Sequence, residues 1–517
     1  RHGAVDGRFS PPNDDVARYL KPGKNVIAVE VHQGRYAAGF LGELDMNFAD
    51  GTHQKLVTDK SWKFMPSDAD IRRQAAGAPG VKPPSNWMDA SFDSSNLGEC
   101  VELGIPPGGA WGAVRYRMNA PRLPITLVTP AYPAVLQAGV EYSQEVFFKA
   151  DVPCKVDTPV YLQMSRNNTT FHEWEIGIAP TGKKEFSLSY KFGLSPFICP
   201  GEYQMKIVMS GYVASNADGT PCDIQKVRVN NSRTAETLDA RIKRDPHGVP
   251  TLMINGQPYP SIFSARGVRQ LTQHAAQFNS AHLHLYHVYH TPNWPAPGQH
   301  NFAQMDAIAE NILSGDPKAL FIVKLQLRDG KPIWYLPKYP EDAVEFDNGA
   351  KANHISLASW RWKEMVGEYL RDFIRHIADS PYADHVIGYF PDEGEEGQWM
   401  HYWSGGNPAS PGTLSDYSPA MLDYFRQWLK KNYASEEALR KAWGEPEVTF
   451  ETATIPTREE RIDGEMGLRS LPRNRKAADF GWALGDVVSE GIEYYAKIVK
   501  EVSGGKALTG GLYGHLM

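Results

Sequence analysis

Cysteine is scarce in this chain: four in 517 residues, Cys100, Cys154, Cys199 and Cys222, all in the first half. They allow three pairings or none, and free thiols are the expected state, because disulfide-dependent domains are smaller and richer in cysteine. Long apolar runs are missing too. None approaches the ~20 residues needed to cross a bilayer, which excludes a helical membrane span. Nor is positive charge in excess: 54 basic against 60 acidic side chains leave a formal net charge of -6. That balance is too acidic for a general polyanion binder, so nucleic acid is not an expected partner. The first residues, RHGAVDGRFS, hold neither an initiator Met nor a signal-like apolar core. The expectation is a piece cut from a longer polypeptide, with the location left open and an extracytoplasmic one favoured. Oligomeric state is not readable.

What the chain does have changes along its length, and its size calls for more than one domain. The first 122 residues read as all-β: a Pro22-Gly23 turn, then Asn25, then an apolar strand over 26–31, with further strands over 40–46 and near Trp62. Leu20, Pro22, Gly23, Lys24, Asn25, Ala28 and Val29 form one phrase of a pattern. Thr58, Asp59, Ser61 and Trp62, then Trp87, Phe92, Asp93 and Ser94, then Trp111 and Gly112 continue it. It resembles the jelly-roll, galactose-binding-like domain found beside catalytic barrels in family 2 glycosidases and alpha-L-rhamnosidases, here without its opening strands. Residues 123–232 alternate Val, Tyr, Phe and Leu between Gly, Pro and Asn turns, the pattern of an immunoglobulin-like β-sandwich. Asn167 and Asn168 each begin an N-x-[ST] triplet, a pattern common by chance. Residues 230–244 read as a polar link.

From 245 to 517 strands and helices alternate, which signals a parallel sheet with crossovers. Strands are expected over 259–266, 282–289, 319–327, 385–391 and 507–515, and helices over 302–313 and 361–378, where apolar residues recur at helical spacing. The fold class is therefore multidomain, β plus α/β: a partial jelly roll, a β-sandwich and an incomplete (β/α)₈ TIM barrel. With five of eight barrel strands, this piece alone is expected to show no turnover.

Residues 384–403, DHVIGYFPDEGEEGQWMHYW, hold the densest chemistry. A buried-strand run ends at Pro391 and is followed by Asp392, Glu393, Glu395 and Glu396, then by Gln398, Trp399, His401, Tyr402 and Trp403. Acids followed by aromatics compose a sugar site, in which a carboxyl group protonates a glycosidic oxygen and rings stack on the C–H face of a pyranose. A solvated acidic turn before a helix is the alternative. Rigid placement near the strand end favours Glu393 as proton donor, with Glu396 and Glu395 following, and mutual repulsion of the carboxylates raises their pKa values. Other strand ends offer candidates for binding substrate. Arg266 ends the first strand. His284 and Tyr286 share a face of the second with His282, taken as inward while Leu283 and Leu285 point to the helices; His290 and Trp294 follow in its loop. Gln326, Arg328 and Trp334 come after the third strand, and Tyr513 lies in the fifth. Metal ligation by the histidines is disfavoured, since no acidic or Cys partner sits at ligand spacing, and no cofactor is expected.

Tyr424, Phe425, Trp428, Leu429, Lys431 and Tyr433, with Leu439, Ala442, Trp443 and Gly444, resemble the helical insertion after the fourth strand of family 42 beta-galactosidases. Asp479 and Phe480 match a pair opening the next helix there, and IGYFPDEG is similar to the I-G-W-Q-x-D-N-E of that strand. The resemblance implies a retaining glycosidase acting on an oligo- or polysaccharide with a β-linked sugar, the final Glu being the acid/base and the nucleophile lying beyond Met517. Glu393 falls one residue short of that acid, and Gln398 replaces a Glu expected before the Trp. A non-catalytic carbohydrate-binding protein on a degenerate barrel is therefore the alternative.

Overall fold

A computed structural model describes residues 22–29, 43–48, 52–64, 84, 86, 87, 89, 91–100, 123–128, 132–150, 153, 158–209, 212–216, 225–264, 271–327, 331–394, 398, 399, 401, 413–463, 471 and 473–512. In the N-terminal part Glu43–Asn47 pairs antiparallel with His53–Val57, and Lys63–Phe64 with Gly98–Glu99. These ladders are too few to define a jelly roll. The strand expected over 26–31 is absent from its described part, where Val26, Ile27 and Val29 are exposed and belong to no ladder. The Asp59 carboxylate accepts the Ser61 amide at 2.8 Å and the Trp62 indole donates to the Val57 carbonyl at 3.1 Å, so this pattern builds a turn.

Between 123 and 230 two sheets share one core. One has the order Glu185–Gly193, Glu141–Ala150, Leu123–Val128, Tyr212–Asn216, and the other Val135–Gln137, Gln225–Asn230, Gly201–Met209, Thr158–Arg166, Thr169–Ala179. Alternation decides which side faces in: Val146, Phe148 and Ala150 are buried while Glu145, Phe147 and Lys149 are exposed. Val146, Phe148 and Phe192 meet Leu162, Met164, Phe171 and Tyr203 in that core. Asn167 and Asn168, at φ +48° and +61°, make the two-residue turn between Thr158–Arg166 and Thr169–Ala179. Asparagine tolerates that left-handed conformation better than most residues.

The stretch read as a polar link is a link only as far as 239. Ala240–Arg244 then pairs with Pro250–Ile254, which pairs with Gln257–Pro258. Ala240 and Leu252 pack on Leu285, Leu320 and Ile387, so this small sheet covers the N-terminal ends of the parallel strands. Those strands are β1 (Phe263–Ser264), β2 (Leu285–His290), β3 (Leu320–Gln326), β4 (Val386–Asp392) and β5 (Leu508–Thr509). All neighbours are parallel and stand in chain order, with no reversal of direction. Helices α1 (Leu271–Ser280), α2 (Ala303–Gly315), α3 (Trp360–Ala378), α4 (Pro419–Asn432), α5 (Glu436–Trp443) and α6 (Arg475–Val502) supply the crossovers and the excursion after β4. A further hairpin, Ala343–Glu345 with Lys351–Ile355, lies between β3 and α3.

Apart from His290, the helix-facing side of β2 to β4 is apolar or aromatic: Val288, Phe321, Val323, Leu325 and Tyr389 join Tyr369, Phe373 and Ile377 of α3. Burial of such a surface is the main stabilising term for parallel sheets. Cys199 lies in the same core as a free thiol and Cys100 is free and half-buried; Cys154 and Cys222 lie outside the described residues.

Candidate active site

The apolar run Val386 to Phe390 makes β4 a strand buried on both faces, and it delivers two carboxylates to opposite sides of its C-terminal end. Asp392 lies opposite Gln326 in register, on the inner face, with its Oδ2 3.2 Å from the Lys324 ammonium and its Oδ1 accepting the Leu512 amide at 3.2 Å. Burial pushes its pKa up to about 6, against the opposing pull of Lys324. Glu393, one residue on, turns to the helices. Trp362 of α3 donates its indole N–H to Oε1, and Tyr495 of α6 donates its hydroxyl to Oε2 at 3.2 Å. Burial raises the Glu393 pKa to about 7, although Trp362, Lys363 and Tyr495 each pull it down. Gly394 follows at φ +113°, a conformation that favours glycine, so a glutamate at this place in the pattern would be strained.

The inner face of the sheet carries a polar cluster that the sequence reading missed. The Lys324 ammonium lies 5.3 Å from the Tyr289 ring centroid, and the His287 ring is 5.2 Å from that of Tyr289 and 6.1 Å from that of Phe390. Burial, with Lys324 adding to it, lowers the His287 pKa to about 4, so the imidazole is neutral at ordinary pH. The missed signal is Lys324 itself, a lone charge inside the apolar run 320–325, whose burial demands a partner.

His284 and Tyr286 require a correction, because β2 begins at Leu285 and the facing is the reverse of the expected one. Leu285 packs inside with Leu320 and Ile387, whereas Tyr286 points to the helices. Its hydroxyl donates to Asp316 Oδ2 at 2.9 Å, and His284 Nδ1 lies 2.9 Å from the same oxygen. Both side chains therefore fix the turn after α2. His282 stands before the strand at φ +55°. His290 is buried among the helices, its Nε2 2.7 Å from the Tyr369 hydroxyl, its ring stacked on Phe373 and its pKa lowered to about 3 by burial. Trp294 is buried beside Trp362 and Tyr369, and Trp334 donates to the Trp294 carbonyl at 3.2 Å. Trp399 is 2 % exposed, donates to the Pro391 carbonyl at 2.8 Å and fits because Gly491 and Gly511 carry no Cβ that would meet its ring. It joins β4 to the end of β5 and presents no free face for stacking. Gln326 is half-buried on the inner face, and Gln398 is half-buried. Arg266, Arg328, Glu395, Glu396 and Tyr513 lie outside the described residues.

Glu393 and Gly394 also wall a narrow cleft of about 20 Å³, room for about one water, with Lys331, His354, Trp362, His401 and Asp416 around it. His401 Nε2 donates to the Leu484 carbonyl at 2.8 Å, and burial lowers its pKa. Such an enclosure holds an acid that is protonated below about pH 7, the state a general acid needs. Among the described residues no three His, Cys, Asp or Glu side chains gather as a metal site would require.

The family 42 glycoside hydrolase model, described as beta-galactosidase, matches residues 271–451, which run from α1 through β4 to the loop after α5. Beta-galactosidase LacZ of Lactobacillus acidophilus is 24% identical over 178 residues, covering 32% of this chain and 22% of that protein. The chain thus matches about a fifth of the length of this curated relative. Among solved structures, beta-galactosidase from the psychrophilic Marinomonas ef1 aligns at 18% identity and a TM-score of 0.36, over 50% of this chain and 37% of that one. Beta-D-mannosidase from Dictyoglomus thermophilum aligns at 10% identity and a TM-score of 0.16, over 75% and 51%.

Proposed function

We propose that the protein is a glycoside hydrolase that cleaves a β-linked sugar, a β-galactoside first among candidates, from an oligo- or polysaccharide. In this reading the parallel strands belong to a (β/α)₈ barrel, preceded by an immunoglobulin-like sandwich and a jelly roll. Glu393 is the general acid/base, and a second carboxylate on another strand is the nucleophile of a retaining mechanism, ~5 Å away. The observation that carries the proposal is Glu393: a carboxyl with its pKa raised to about 7, on the wall of a cleft at the C-terminal end of a parallel strand, inside the matched segment. Glu396 and Glu395 follow as candidate donors.

The test is hydrolysis of 4-nitrophenyl β-glycosides and of β-linked disaccharides by the full-length protein, with the anomer of the first product read by NMR. Glu393→Ala is expected to slow a substrate with a poor leaving group by about 10²–10⁴-fold. Activated aryl glycosides lose much less in the glycosylation step, and azide restores turnover as a glycosyl azide of retained configuration. A poor-leaving-group substrate left within a few-fold of the parent rate removes Glu393 from the role.

Carbohydrate binding without hydrolysis is the second reading, favoured by Gly394 at the place where a gap-free alignment with the family 42 strand puts its acid. Full-length protein that binds β-glycosides and turns none over supports it.

A further inference from the structure

A groove of about 500 Å³ runs between the end of α4 and the first half of α6, and it shares no residue with the Glu393 cleft. Its volume lies in the range of small-ligand sites. Gly481 and Gly485 of its lining stand in the interior of α6, where a Cβ at either would meet nothing within 4 Å. Neither a left-handed backbone nor close packing calls for glycine there, although glycine is among the poorest helix formers. What two glycines one turn apart do supply is open space in the groove. Trp482 lies between them, 48 % exposed, with the Arg475 guanidinium carbon 5.0 Å from its ring centroid. A large aromatic half in water and steadied by a cation gains from a ligand that covers it.

The rest of the lining decides what kind of ligand. Asp486 Oδ2 accepts the Trp428 indole at 2.7 Å, the Asn432 amide donates to the Trp428 carbonyl at 2.8 Å, and Arg475 binds Asp479 through Nε at 2.8 Å. Those bonds leave Asp486 Oδ1 and Asn432 Oδ1 as acceptors and the terminal N–H groups of Arg475 as donors. One guanidinium and one carboxylate offset each other, which favours neither an anion nor a cation. A protein partner would need a broader apolar patch than the single ring of Trp482. A neutral ligand with O–H donors, oxygen acceptors and a flat C–H face satisfies the lining, and a sugar ring has that chemistry. Trp482 also stands 13 residues, about 20 Å, along α6 from Tyr495, the hydroxyl donor to Glu393.

We infer that the groove between α4 and α6 is a second, non-catalytic site for a neutral β-linked oligosaccharide, which stacks on Trp482 and hydrogen-bonds to Arg475 and Asp486. The inference rests on the proposed function for the class of ligand but not for hydrolysis, so binding is the primary measurement. The full-length protein, with Glu393→Gln to stop turnover, is titrated with β-1,4-linked galactotetraose and the matching gluco-, manno- and xylo-tetraoses by calorimetry, and the Trp482 indole is followed by NMR. At least one tetraose is expected to bind and to shift that indole signal. Trp482→Ala should weaken this binding by about 10- to 100-fold, the range for an aromatic anchor. Gly485→Leu, which fills the groove, should do the same, and it is expected to fold because a helix prefers leucine to glycine.

Binding left unchanged by both variants overturns the inference, as does absence of binding to all four tetraoses. A dimer that dissociates on Gly485→Leu while no tetraose binds overturns it too and assigns the groove to a second copy of the chain. Binding that depends on Trp482 in a protein with no turnover sustains the inference while refuting hydrolysis, and turnover without such binding does the reverse, which keeps the two failures distinguishable.

Discussion

Among single residues Glu393 carries opposed demands, and its pH dependence has a definite sign. Its folded pKa of about 7 lies above the ordinary glutamate value of 4.5, so between those limits the native state binds more protons than the unfolded chain. Its contribution to stability therefore falls as pH rises from about 4.5 to 7 and stays low above. Glu393→Gln keeps an acceptor for the Trp362 indole and removes the charge. It should leave stability nearly unchanged at pH 4.5 and raise it at pH 8 by about 1–3 kcal/mol, read from urea midpoints at both pH values. Equal effects at the two pH values would mean that the carboxyl is not the buried titrating group. Trp362→Phe removes a donor that holds the pKa down, so the alkaline limb of the pH–rate profile should move to higher pH. The Glu393 carboxyl was legible in the sequence as a candidate because a carboxyl just beyond a buried strand is conspicuous. Its environment was not: Trp362 and Tyr495 come from 31 and 102 residues away. The facing of Tyr286 was misread for a related reason, since a two-residue period shows that faces alternate and leaves open which one looks inward.

Among elements, the excursion after β4 is the part most completely written in local pattern. Tyr433, Trp443 and Asp479 stand out in sequence, and in space they meet. The buried Asp479 carboxylate accepts from Tyr433 at 2.6 Å, Trp443 at 2.8 Å and Arg475 at 2.8 Å, tying the end of α4 and α5 to the first turns of α6. Helices α4 and α5 are also capped by Ser418 and Ser435, whose side chains accept from the third residue inward, and α5 closes on Gly444 at φ +71°. Asp479→Ala leaves three donors without their acceptor. It should cost about 2–4 kcal/mol and speed amide exchange in 419–443 well before 285–326. Uniform loss of protection across both segments would show that the clasp holds the whole α/β body rather than the excursion. The small sheet from Ala240 to Pro258 escaped the reading because Ala240–Arg244 buries only Ala240 and so lacks the alternation that marks a strand.

At the scale of the whole molecule, the two-sheet body and the α/β body are joined through one face of α2. Asp306 and Glu310 lie one helical turn apart and both are buried. Glu310 accepts from Ser195 Oγ at 2.5 Å and lies 2.7 Å from His172 Nε2, while Asp306 meets His376 Nε2 and the Tyr382 hydroxyl at 2.7 Å each. Arg166 approaches Asp306 at 3.9 Å, and farther along the seam Arg233 pairs with Asp384 at 2.7 Å. Alternating composition separates the two bodies along the chain, but this seam is invisible there, because the partners that meet across it are more than 100 residues apart and each residue alone reads as surface charge. Burial pushes the Asp306 pKa up, yet His376, Tyr382 and Arg166 outweigh it and hold the carboxyl below the ordinary aspartate value of 3.8. A depressed carboxyl pKa contributes stability above the unfolded value and loses it as pH falls through the folded one. Asp306→Asn should therefore destabilise the protein by about 2–4 kcal/mol at pH 7, with the gap from the parent closing below pH 4. Urea melts at pH 7 and pH 3 check this, and a gap that stays constant would show that Asp306 matters through shape rather than charge. Because the seam joins both bodies, the variant should also separate their unfolding into two transitions at pH 7, seen as a loss of coincidence between fluorescence and circular dichroism.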